Sequence, residues 1–194
     1  DEKQEKLVAP LEIPDRFDGR DIWKGLLTPV KNQGACGSCW AFGTAATVET
    51  ALGVAGQASV DIAEQQLVDC NGSGFSCGGG DFVFDMLRAP NGGVAEKSYP
   101  YEAADGSCRS AGLAAPYHVS SFVVEDAPNI TQMKLGILEH GAIGVTMASG
   151  DISLMGLGTV THVVGSKLCA FGHPMMGSGN VSLPTAIGKV LWIY

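Results

Sequence analysis

The sequence predicts an α+β fold, with helices gathered early in the chain and short apolar strands late. Three observations carry that expectation. Ala45, Val48, Leu52 and Val54 recur at helical spacing within the stretch Thr44 to Ala55, the period of a helix with a buried face. Ile62, Leu67 and Val68 surround the polar Glu64-Gln65-Gln66 and mark a second helix ending at Cys70. Beyond these, apolar residues come in short strand-length runs, Gly141 to Val145 and Val160 to Gly165. At 194 residues the chain makes one large domain or two small ones, enough to bury a core.

Residues 1–12 are charged, and Pro10 and Pro14 bracket an extended lead-in, so a tail is expected there. Then comes Pro29-Val30-Lys31-Asn32-Gln33-Gly34-Ala35-Cys36-Gly37-Ser38-Cys39-Trp40-Ala41-Phe42-Gly43, where Gly34 and Gly37 allow a tight loop and Cys39 falls where loop turns into helix. The first helical turn has free N–H groups and the positive end of the macrodipole, which favour a thiolate, the nucleophilic form of cysteine. Gln33, six residues upstream, can aim its amide at whatever Cys39 attacks, and with the Cys39 N–H makes a two-donor oxyanion hole. Ser76-Cys77-Gly78-Gly79-Gly80 is a flexible turn, and Phe82 to Leu87 is an apolar helix candidate. Gln132 to His140 reads as a further helix.

Composition excludes several classes. The net charge is -8 and the twelve Lys and Arg do not cluster, so nucleic acid is not an expected partner. No apolar run reaches membrane-spanning length, and Asp1-Glu2-Lys3-Gln4-Glu5-Lys6 is not a signal peptide, so no membrane partner is expected and any targeting segment is expected to have been removed. Six cysteines with much glycine and little charge suggest an oxidising compartment. A free nucleophile leaves five to pair, hence two disulfides, the thiol and one extra cysteine. Cys36 and Cys39 have no second Cys-x-x-Cys to complete a zinc site, so neither metal nor cofactor is expected. Asn71-Gly72-Ser73, Asn129-Ile130-Thr131 and Asn180-Val181-Ser182 are glycosylation acceptors by pattern.

The run Gln33 to Phe42 resembles the nucleophile segment of papain-like, cathepsin-type cysteine peptidases, whose Cys-Gly-Ser-Cys-Trp pattern it matches. The likeness extends over residues 13–147, with Ile13 to Arg20 similar to the mature start of the family in the cathepsin B style, so a mature form is expected. Glu64 to Cys70 and Tyr99-Pro100-Tyr101, a structural feature, also match. The resemblance implies two lobes, a helical one over 13–115 carrying the nucleophile and a β-rich one over 116–194 carrying the histidine, with Cys39 in the cleft. It implies disulfides Cys36–Cys77 and Cys70–Cys108, a substrate strand hydrogen-bonded at Gly79 and Gly80, and a pocket for the second substrate residue walled by Ala142 and Ile143 facing Phe82. It implies polypeptide substrates, propeptide or cystatin-like inhibitors, a monomer, and a secreted or lysosome- or vacuole-like, mildly acidic location.

Its histidine and orienting Asn come from far downstream. His118, before a strand, and His140, at a helix end, read as structural, leaving His162 and His173. His162 lies in an apolar strand setting, 123 residues after Cys39; His173 lies 134 after it, nearer the family spacing. His173 also precedes Leu191-Trp192-Ile193-Tyr194, similar to the strand before the family's Asn-Ser-Trp-Gly. That motif is missing, so either the chain stops short of it or Asn180 replaces it, which suits His162 better. Residues 150–188 also resemble the histidine segment of sporulation-type serine peptidases, which implies His173, but that family's Gly-Met-Ser-Gly-Ser is absent. The β-rich lobe is therefore expected to be incomplete or atypical: a fusion junction, a truncated domain or a frame-altered tail, with Cys169 a buried thiol. The expected function is a cysteine endopeptidase working through a thiol acyl-enzyme with an apolar preference at the second subsite. The alternative is a catalytically inactive papain-like binding module.

Overall fold

In the computed structural model the described residues are 12–58, 60–126, 128–147, 156–164, 167–170 and 185–193. The chain enters through β1 (Arg16–Asp18) and a one-turn helix α1 (Gly19–Ile22). Asp18 caps that turn, accepting the Arg20 N–H at 3.1 Å.

The helix α2 (Cys39–Val54) follows the Gly34 and Gly37 loop, with Cys39 as its first residue. It is buried on nearly every side rather than along one stripe: Trp40, Ala41, Ala45, Val48 and Leu52 have no exposed surface, and neither do Thr44 and Thr47. A helix can bury polar positions only if their hydroxyls find acceptors. Thr44, Thr47 and Thr50 do so by donating to the carbonyls of Trp40, Gly43 and Ala46, each at 2.8 Å. The short helix α3 (Glu64–Cys70) packs against α2. Its buried amides tie down loops: Gln65 donates to Ala104 O and accepts from Glu102 N, while Gln66 donates to Gly92 O and accepts from Val94 N.

Phe82 to Leu87 does not form the expected α-helix; Phe84–Leu87 is one 3₁₀ turn. The run lies between Gly80 and Pro90, too short to offset helix nucleation without flanking turns. Its apolar residues still reach the core: Phe84 and Leu87 join Trp40, Val48, Leu52, Ile62 and Leu67 in one cluster. Each such side chain contributes about 1.5–3 kcal/mol on burial.

The second half supplies β2 (Val119–Asp126), α4 (Ile130–His140), β3 (Ile143–Met147), β4 (Gly156–Val164), β5 (Lys167–Ala170) and β6 (Thr185–Ile193). Helix α4 starts two residues earlier than Gln132 because Asn129 and Gln132 form a capping box: the Asn129 Oδ1 accepts the Gln132 N–H, and the Gln132 Oε1 accepts the Asn129 N–H. Among the described residues the strands form one antiparallel sheet in the order β1-β4-β3-β6-β2, with β5 pairing β4. The sheet therefore takes its edge strand β1 from the beginning of the chain. Helix α2 packs against β3, β4 and β6, and Thr50 Oγ1 accepts the Ala142 N–H at 3.0 Å. Behind this contact Trp23, Met133, Ile137, Ala142, Ile143 and Val145 make a second cluster.

Candidate active site

Cys39 is part-exposed and unpaired at the first position of α2. The other described cysteine side chains are cross-linked, Cys36 to Cys77 and Cys70 to Cys108, in the pairing the resemblance implied. The carbonyl of the N-cap residue Ser38 accepts the Ala41 and Phe42 N–H groups, yet no side chain caps this end of the helix. The helix N-terminus, where a negative charge is favoured, is thus left to Cys39.

The loop before Cys39 is braced from several directions. Gly34 has φ +63°, and its N–H donates to Asn32 Oδ1 at 2.9 Å. Gly37 donates to Cys77 O at 2.8 Å, and a Cβ there would sit 2.6 Å from the same oxygen. The glycine permits the close backbone approach that the Cys36–Cys77 crosslink holds. Gln33 is half-buried, and its carbonyl accepts the Tyr101 hydroxyl at 2.9 Å.

Next to the loop lies an ionic cluster that pattern reading missed, with Glu49 and Glu64 buried, Lys31 part-buried and Asp61 exposed. Lys31 Nζ is 3.3 Å from Glu49 on α2 and 2.7 Å from both Asp61 and Glu64. Glu49 also accepts from the Thr28 hydroxyl at 3.3 Å and the Ile62 N–H at 2.8 Å. Burial opposes the Lys31 charge, but Glu49, Glu64 and Asp61 outweigh it and keep the ammonium well above the ordinary lysine range. Three carboxylates round one ammonium oversupply negative charge. Burial accordingly pushes Glu64 up to about 7, with Lys31 offsetting only part of the effect, and Glu49 moves in the same direction for the same reason. The signal in the sequence was two glutamates inside apolar helical stretches; Lys31, between the exposed Val30 and Asn32, gave none.

Gly79 has φ +127° and open space where a Cβ would stand. Gly80 has a different reason to be glycine: a Cβ would lie 2.8 Å from Phe75 and Trp40. Phe82 stacks on Phe84 with ring centroids 5.0 Å apart. Its ring abuts Gly144, where a Cβ would collide with it. Ala142 and Ile143 do not face Phe82; they are 1 % and 0 % exposed, inside the cluster of Trp23 and Met133. Within β3, which begins after Ala142, faces alternate, so Gly144 lies opposite to Ile143 and Val145 and against Phe82.

His162 lies on β4, opposite Asp18 of β1 and Cys169 of β5 in backbone register. Helix α2, which begins at Cys39, packs against that strand. The β4–β5 register shifts between Val160 and His162. His173 and Asn180 lie outside the described residues. Among the described residues no group of three or more His, Cys, Asp or Glu side chains is arranged to hold a metal ion, and no helix is long and apolar enough to cross a membrane.

A helix-borne thiol between a disulfide-braced loop and an antiparallel sheet defines the class of the papain-like fold. The profile described as "Papain family cysteine protease" matches residues 13–193, and the chain belongs to that family. Mouse procathepsin L is 39% identical over 155 residues, covering 78% of this chain and 45% of its own length. The oryzain beta chain of Oryza sativa subsp. japonica is 45% identical over 191 residues, covering 94% of this chain and 39% of its own length. The chain thus spans less than half the length of these curated relatives. The structure of digestive procathepsin L2 proteinase from Tenebrio molitor larval midgut matches with a TM-score of 0.75 at 23% identity, over 96% of this chain and 70% of that one. Bromelain from Ananas comosus, solved in complex with the E64 inhibitor, matches with a TM-score of 0.67 at 20% identity, over 92% of this chain and all of that one.

Proposed function

We propose that the chain is a cysteine endopeptidase. The observation that carries this reading is Cys39 itself: unpaired, part-exposed and first in a long helix whose N-terminus no side chain caps. The Cys39 thiolate attacks a peptide carbonyl, and the oxyanion is received by the Cys39 N–H and the Gln33 amide. An imidazolium gives its proton to the leaving amine, and the C–N bond breaks to leave a thioester. Water, deprotonated by the same imidazole, then attacks the thioester and returns the acid and the thiol.

His162 is the histidine we assign to this role. Its strand lies against α2, the helix that Cys39 begins. The spacing that favours His173 counts residues along the chain and not positions in the fold. Gly79 and Gly80 are proposed to receive the substrate backbone. Phe82, with Gly144 leaving room before it, is proposed to make the second subsite apolar. Propeptides and cystatin-like proteins are the proposed inhibitors, and a mildly acidic, oxidising compartment, secretory or lysosomal, the proposed location; both disulfides suit it.

Hydrolysis of a fluorogenic peptide with Leu or Phe at the second position tests this directly. Cys39→Ala is expected to abolish turnover with an unchanged far-UV spectrum. His162→Ala is expected to lower kcat by about three orders of magnitude or more, and His173→Ala to leave it within a few-fold. The reverse order for the two histidines moves the role to His173. Full activity in Cys39→Ala removes the thiol from the mechanism, and a wild-type chain that cleaves no peptide leaves the binding-module reading.

A further inference from the structure

We propose that Tyr101 is a positioning residue for the oxyanion donor Gln33, acting through a hydrogen-bond relay that begins at Ser38. The inference rests on the peptidase reading above, since it gives Tyr101 its role through Gln33.

Tyr101 Oη contacts two groups on the nucleophile loop, Ser38 Oγ at 2.5 Å and Gln33 O at 2.9 Å. A phenol has one proton and a carbonyl can only accept, so the assignment is forced. Tyr101 donates to Gln33 O, and Ser38 donates to Tyr101. Burial pushes the Tyr101 phenol up, against a smaller opposite effect of Ser38, so the donor keeps its proton at working pH.

The relay meets the chain at two places. The first concerns the Gln33–Gly34 peptide group. Gly34 sits at φ +63°, where glycine moves between backbone conformations at little cost, so this peptide plane is the point at which the loop can flip. Both of its polar ends are held: Tyr101 bonds the Gln33 carbonyl, and Asn32 Oδ1 accepts the Gly34 N–H at 2.9 Å. With the plane fixed, so is the direction in which the Gln33 side chain leaves the backbone. The second concerns α2. A serine at the N-cap ordinarily turns its oxygen onto the first helical N–H groups. Ser38, fully buried, gives its proton to Tyr101; at φ -95° and ψ 19° its backbone lies outside the extended region of a capping residue, so this helix end has no side-chain cap and keeps none when the Tyr101 hydroxyl is removed.

Tyr101 is itself a rigid post. Its N–H donates to Glu96 Oε1 at 2.8 Å, the next N–H donates to Gln65 Oε1 at 2.8 Å, and its ring meets Phe42 edge-on at 4.9 Å. Tyr101→Phe therefore removes the hydroxyl while the ring contact and both backbone anchors persist.

The test is a double-mutant cycle in the full chain. Tyr101→Phe is expected to lower kcat about tenfold, a part of the hundredfold or more that loss of an oxyanion donor costs, with KM within twofold. Alkylation of Cys39 by iodoacetamide, which forms no oxyanion, is expected to stay within twofold. In a Gln33→Ala background the same change is expected to cost less than twofold in kcat. Losses that multiply in the double variant, or alkylation slowed as much as kcat, overturn the proposal. Ser38→Ala is the second variant should Tyr101→Phe fail to fold; it is expected to move kcat in the same direction, and an unchanged kcat counts against the relay. If the wild-type chain cleaves no peptide, the peptidase reading falls separately. The relay is then judged by the Gln33 side-chain amide resonances of ¹⁵N-labelled protein: a change in Tyr101→Phe keeps it, and identical spectra overturn it.

Discussion

Glu64 is 2 % exposed and lies 2.7 Å from Lys31 Nζ, yet burial raises its carboxyl from 4.5 to about 7. The sign of the resulting pH dependence follows from linkage. Because the folded-state value lies above the unfolded one, the folded chain binds more protons between those two values, and stability falls as pH rises through the window. The urea midpoint is expected to be higher at pH 5 than at pH 8, and Glu64→Gln is expected to flatten the difference. A midpoint that rises with pH over this range contradicts the assignment. Single residues also show how far pattern reading reaches. Cys39 was legible because the chemistry of a thiol at a helix start demands its neighbours. Tyr101 was not, because a hydroxyl 68 residues away along the chain acts on Gln33 only once the fold is made. Gly80 shows a third case: the requirement for glycine was legible, but the contacts that impose it here are those of Trp40 and Phe75.

At the scale of elements, α2 begins at the residue the sequence marked, and α3 ends at Cys70 as expected. What periodicity understated was burial. A one-sided apolar stripe describes a surface helix, whereas α2 lies between α3 and the sheet and hides threonines and Glu49 by satisfying each of them. Glu49 also links α2 to the loop before Cys39, through Lys31, which Glu64 ties to α3 in turn. Removing the cation leaves buried carboxylates unpaired, a change that costs about 3–5 kcal/mol. Lys31→Met is expected to destabilise the chain by that amount in urea unfolding at neutral pH, and a loss under 1 kcal/mol would show that water reaches the cluster. The Phe82 to Leu87 segment was misread because composition alone does not separate a 3₁₀ turn from a short helix.

For the whole molecule, the α+β arrangement was legible from helical periods early and short apolar runs late, and the family likeness added the disulfide pairing that spacing cannot decide. The sheet order was beyond sequence reading, because β1 and β4, the first and fourth strands, become neighbours only through tertiary contacts. That same topology sets the strand bearing His162 against the helix bearing Cys39. Sequence spacing, which counts residues and not folds, favoured His173. A cysteine peptidase mechanism requires Cys39 to be an activated nucleophile. Titration with a peptidyl epoxide at mildly acidic pH, followed by mass spectrometry, measures this most directly. The account predicts one adduct per chain, located on Cys39, formed far faster than with a free cysteine thiol and with parallel loss of peptide hydrolysis; a Cys39 that reacts no faster than the free amino acid would contradict it.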